Sequence, residues 1–182
     1  RDAFYQYFSG GFNGLVINEI REKRSMAYTA GAYVSTPALP GNPTYLIGRI
    51  GTQNDKANDA IDVFMGLISD MPKNAERIEN IKSYMRQEAL SSHPDFRYKA
   101  QYLRMYQRMG YQGDPAEENL KKIDALTFDD IVKFYEENIK GKPYCIGVMG
   151  NPKDIDLKKL EKYGKVVKLN ERKLFNTKDA LF

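Results

Sequence analysis

Apolar positions along this chain recur at two spacings, and the places where the spacing changes divide it into elements. Asp2-Ala-Phe-Tyr-Gln-Tyr-Phe8 reads as the end of a helix. Ser9-Gly-Gly-Phe-Asn-Gly14 breaks it, since glycine lifts the steric limits on the backbone. Leu15 to Lys23 reads as a short helix with Leu15, Ile17 and Ile20 among its apolar positions. From Met26 to Thr36 the pattern is β-rich, 37–43 is a loop by its prolines and glycine, and 44–50 is a second strand. Two strands joined this way predict an antiparallel hairpin, wider than the commonest two-residue type.

Helical spacing then takes over. Asn54 or Asp55 can cap a helix running to about Met71, with Ala57, Ile61, Phe64, Met65 and Ile68 on its apolar face and Pro72 to end it. Asn74 caps another, carrying Ile78, Ile81, Met85 and Ala89 and closed by His93-Pro94. Asp95 opens a third, with Tyr98, Tyr102, Met105, Tyr106 and Met109, ending at Gly110. Its tyrosines repeat at steps of four, which predicts a half-buried helix face rather than a binding platform. Asp114-Pro115 starts a short helix. Thr127-Phe-Asp-Asp130 has the capping-box pattern, with aspartate for the usual glutamate, and opens a helix with Phe128, Ile131, Val132, Tyr135 and Ile139. Tyr144 to Met149 reads as a strand, Asp156 to Tyr163 as a brief helix and Lys165 to Leu169 as a final short strand. Strands and helices segregated in this way predict an α+β fold, with helices on one face of a small mixed or antiparallel sheet. Residues 1–170 read as a single domain and 171–182 as a C-terminal tail.

Composition narrows the function classes. With 42% hydrophobic and 29% charged residues, 182 residues suffice for a packed core without staples. The net charge of +4 lies entirely in residues 153–182, where nine Lys and Arg face five Asp and Glu. A nucleic-acid binder more often spreads a basic stripe over its folded body, so that class is set aside. No run of apolar residues approaches a membrane span, and the first residue is arginine, which reads as a processed or excised chain.

The chain offers little catalytic chemistry. It has one histidine, His93, and one cysteine, Cys145. A zinc site needs three protein ligands and one histidine does not supply a common arrangement, so no metal site and no catalytic residue is assigned here. Cys145 lies in the apolar run 144–149 and reads as a buried strand cysteine without a cationic or histidine partner. His93 reads as a solvated helix-end residue. The glycines at 10, 11 and 14 are not a phosphate loop, since no Gly-Lys-Ser/Thr follows.

One segment stands apart. Ile20-Arg-Glu-Lys-Arg-Ser-Met-Ala-Tyr28 runs from a charged helix end directly into a strand, after the Gly10-Gly11 break. Downstream come the hairpin, the helical stretch, Leu126-Thr-Phe-Asp-Asp-Ile131 and Val148-Met-Gly150. The ordered set resembles the C-terminal, non-catalytic domain of the pitrilysin/insulinase family of zinc peptidases, over roughly residues 2–170. The resemblance implies repeated α+β domains, one holding zinc in H-x-x-E-H and an inert relative closing over it around a peptide. This sequence lacks that motif and matches the inert kind. It also lacks the strand or strands that the family places before the first helix, which implies an open sheet edge and self-association.

The resemblance further implies that Arg21 and Tyr28, seven positions apart, reach across to the site in the other domain. Arg21 would help position the substrate backbone or support the site, and Tyr28 would donate a hydrogen bond to the developing oxyanion. Gly10 and Gly11 would mark a reduced form of a glycine-rich substrate loop. The implied partners are a zinc-bearing catalytic domain, on the same or a neighbouring chain, and a peptide substrate, with neither nucleic acid nor membrane. A scaffold domain in a catalytically dead family member is the alternative. The bacterial periplasm or envelope and the cytoplasm both remain open as compartments.

Overall fold

The structure is a computed structural model that describes residues 1–35, 41–91 and 94–170. The tail 171–182, His93 and most of the 37–43 loop lie outside the described residues. The fold is α+β. Helix α1, Asp2–Ser9, leads to a short helix α2, Leu15–Ile17, which runs on into a π-helical turn, Asn18–Glu22. Strands β1, Ala27–Ser35, and β2, Tyr45–Thr52, form the predicted hairpin, a two-stranded antiparallel sheet. Helices α3, Ala57–Ser69, α4, Ile78–Ser91, α5, Lys99–Arg108, α6, Pro115–Ala125, and α7, Phe128–Asn138, follow, with a last single turn, α8, at Leu157–Leu160.

The core lies between one face of the hairpin and helices α1, α2, α3 and α7. Alternation puts Ala30 and Ala32 of β1, and Leu46 and Ile50 of β2, against it. Between them, Gly48 leaves the space that the Phe64 ring fills: a Cβ there would stand 2.3 Å from the ring edge. Helix α1 supplies much of the core. Its Phe4, Tyr7 and Phe8, at steps of three and four, are all buried. Phe4 and Phe8 stack with ring centroids 5.2 Å apart, and Tyr7 meets Phe128 edge-on at 5.0 Å. From α7, Phe128, Ile131 and Tyr135 complete the core.

Several helix starts were legible. Asn74, Asp95, Asp114 and Asp156 each accept a backbone N–H as caps. Thr127 and Asp130 exchange the two bonds of a capping box, and those from Thr127 hold the Asp130 carboxyl below the usual carboxylate range. At α3, by contrast, neither Asn54 nor Asp55 caps. The helix is preceded by a 3-10 turn at Asn54–Lys56, which Gln53 introduces without a side-chain cap. It also ends at Ser69, three residues before Pro72.

Two predicted strands do not pair. Residues 144–149 and 165–169 have no ladder partner among the described residues, so the sheet has two strands rather than three or four. The reason is tertiary. The C-terminal segment is anchored to α3 by side chains, through Asn58, which exchanges two bonds with the Asp156 backbone at 2.9 and 3.0 Å. Asp62 adds to this by accepting from Lys162 and from the Tyr163 hydroxyl, both at 2.7 Å. With no sheet neighbour over residues 144–149, Cys145 is exposed instead of buried. The tyrosine face of α5 is likewise more open than half-buried spacing predicts: α5 contains no buried residue, and Tyr98 and Tyr102 are exposed.

Candidate functional site

The chain from Asn18 to Thr29 departs from regular backbone three times in a dozen residues. First, Arg21 sits in the π-helical turn, where the Lys23 N–H reaches back five residues to the Asn18 carbonyl at 2.9 Å. Second, Ser25 has φ +48°, the only non-glycine residue with positive φ among those described. The turn closes around it: the Ser25 N–H bonds the Arg21 carbonyl at 2.9 Å and the Met26 N–H bonds Ile20 at 3.0 Å. This is a widened form of the left-handed helix cap. Third, the β1–β2 register slips between Ala27 and Thr29, leaving Tyr28 as a bulged residue without a partner. A bulge turns a side chain out of its alternation, and Tyr28 is 87% exposed. No described residue hydrogen-bonds its hydroxyl.

These distortions cost energy, and π-turns, left-handed residues and bulges gather at functional sites. Charge ties the π-turn to the two residues that follow it. The Glu19 carboxylate accepts from Lys23 and from Arg24, each at 2.5 Å, and its own carbonyl takes a second Arg24 bond at 2.7 Å. Hydrogen bonds from Lys23, then Arg24, hold the Glu19 carboxyl below the usual range.

The three irregularities wall a cleft of about 720 Å³. Arg21, Glu22, Ser25 and Tyr28 form one side, and Gln53 and Lys56 come from the end of β2 and the turn before α3. Its size lies within the range of small-ligand and peptide side-chain sites. The geometry therefore brings Arg21 and Tyr28 into one cavity. Gly10 and Gly11 do not line it. Gly10 packs against α1, where a Cβ would stand 2.6 Å from the Gln6 carbonyl, and Gly11 takes a positive φ of 54°. Lys56 and Gln53 had no signal in the sequence. They lie far along the chain from Arg21, and only the hairpin brings them back.

Among the described residues, no group of three His, Cys, Asp or Glu side chains is placed to hold a metal ion. Nor is any described helix long and apolar enough to cross a membrane.

Comparison with known proteins acts at the level of fold. No protein-family model matches this sequence, and no curated protein does. Among solved structures, the crystal structure of a peptidase M16 inactive domain from Pseudomonas fluorescens superposes with a TM-score of 0.52 at 17% identity. The chain has the fold of that inactive domain. The match covers 74% of this chain and 32% of the neighbour, so the chain spans about a third of the neighbour's length. The α+β architecture read from the sequence is thus shared with that inactive domain, at a distance where only the fold is common.

Proposed function

We propose that this chain is a non-catalytic, substrate-gripping domain of a zinc metallopeptidase, closing over a zinc site that another domain holds. The observation that carries the proposal is the cleft. The two residues that the resemblance singled out share one cavity, and the backbone between them is bent out of regular structure at Arg21, Ser25 and Tyr28. The likeness to a peptidase M16 inactive domain supports the same reading.

In this role each residue of the chain has a defined task. Arg21, on the π-turn, presents a fixed fork of donors to the carbonyl oxygens of an extended peptide. The bulge points the Tyr28 hydroxyl away from its own sheet, free to donate to a carbonyl oxygen as negative charge builds on it. Zinc in the other domain would supply an activated water. Glu19 acts through the turn, tying down Lys23 and Arg24, which lie between Arg21 and Tyr28 along the chain.

The test is made in the intact peptidase, with both domains present. Tyr28→Phe removes one donor from a developing oxyanion and is expected to lower turnover by about 100-fold with little change in KM. Arg21→Ala is expected to raise KM. Normal kinetics in both variants would remove the site assignment. An assembly that forms fully yet turns over no peptide would instead favour the scaffold role.

A further inference from the structure

The charge lining the cleft points to a property of its ligand that the Arg21–Tyr28 pairing does not supply. Lys56 is separated from Arg21 by the whole hairpin, yet it faces the same cavity. Its ammonium reaches the Ser25 carbonyl at 3.3 Å, longer than the 2.7–2.9 Å common for a charged donor. One of its three donors is therefore only loosely engaged. Among the described residues no carboxylate lies within ion-pair distance of it. Asp55 and Asp59, its nearest acidic neighbours in sequence, line no part of the cleft.

Arg21 is hardly better satisfied. Its ionic partner is the adjacent Glu22, 3.5 Å away, and both side chains are about half exposed. Adjacent residues on a helix do not face each other, so such a pair is easily exchanged for a better one. The cavity is thus lined by two cations and one carboxylate, and by Tyr28, whose hydroxyl bonds no described residue. A group with several acceptor lone pairs and a negative charge satisfies these donors. On a peptide, that group is a carboxylate.

We propose that Lys56 is a specificity-determining residue which, with Arg21, makes this cleft a receiver for a carboxylate carried by the bound peptide. The proposal rests on the peptide-gripping role above. Two sources share the chemistry, an Asp or Glu side chain and a free peptide C-terminus.

The experiment measures binding of short fluorescent peptides to the whole chain by polarisation at low salt. One sequence is made with an internal Glu or Gln, each with a free or an amidated C-terminus. A partly screened ion pair gives the carboxylate form an advantage of about three- to fivefold over its neutral counterpart. The Glu/Gln ratio reports a side-chain source, and the acid/amide ratio a terminal one. Lys56→Gln is expected to bring the favoured ratio to about one, while Lys56→Arg preserves it. Equal binding of all four forms overturns the carboxylate preference, a ratio that survives Lys56→Gln overturns its assignment to Lys56, and either result leaves the gripping role standing. If none of the four binds, the gripping role falls as well.

Discussion

Removing one hydroxyl from the core tests how the turn after α3 is held. Tyr135 is 1% exposed, and its phenol does two things: it donates to the Ile68 carbonyl at 3.0 Å and accepts the Met71 N–H at 3.1 Å. Tyr135→Phe keeps the ring and deletes both bonds. Met71 is itself 1% exposed, so its N–H is left in the core without water or protein to take it. A buried donor orphaned this way costs about 1–3 kcal/mol. Ile68 is only partly buried, so water can reach its carbonyl and the second loss is smaller. The expected total is about 2–3 kcal/mol, which for a chain of this size lowers Tm by about 5–10 °C. Tyr7→Phe is the control. That phenol bonds the Pro72 carbonyl at 2.6 Å and the Asn74 N–H at 3.0 Å in the same turn, but both residues are exposed. Water replaces the lost bonds, so the cost falls to about 1 kcal/mol. Urea unfolding followed by circular dichroism gives both values, with an unchanged m-value if the native state keeps its compactness. If Tyr135→Phe costs under about 0.5 kcal/mol, or less than Tyr7→Phe, the reasoning fails.

Three further outcomes follow from the same structure. Glu19 has a folded-state pKa below its ordinary value of 4.5, so its stabilisation is present above that value and is lost as the pH falls through the folded one. Glu19→Gln should cost about 1 kcal/mol at pH 7, discounted because Lys23 and Arg24 are 64% and 40% exposed. Urea titrations should show that gap closing toward pH 3, and a gap that persists there would count against the clamp. Helix α5 buries none of its ten residues, and a helix of that length is marginal alone in water. Its amides should exchange about 100-fold faster than those of α7, and equal protection would mean that something covers it. Finally, each strand of a two-stranded sheet keeps an edge without a ladder partner among the described residues. Light scattering should show mass rising with concentration, and a strictly monomeric species at high concentration would refute edge pairing.

Much of the fold was legible because local chemistry decided it. Asn74, Asp95, Asp114, Thr127 and Asp156 start their turns with side chains that bond the backbone two or three residues on, an interaction that needs nothing distant. The hairpin followed from β-rich runs either side of a proline loop. Residues 144–149 misled for the opposite reason. An apolar run becomes a strand only when another strand pairs with it, and here no described strand does. Cys145 inherited the same error. The start of α3 misled because Asn54 and Asp55 lie inside the 3-10 turn rather than ahead of it.

Arg21 and Tyr28 were picked out by a family resemblance, and the sequence by itself determined the segregated α+β order and the caps. These depend on neighbours within a few residues, where chain connectivity guarantees proximity. It also showed that one histidine is too few for a common zinc site. Only the tertiary structure decided that Arg21 and Tyr28 share a cleft with Lys56 and Gln53, because the β1–β2 register sets that distance. The π-turn, the left-handed Ser25 and the bulge at Tyr28 belong there too. Each departs from the backbone preferred by its own residue, and each is held by Glu19, by the helix cap or by the sheet.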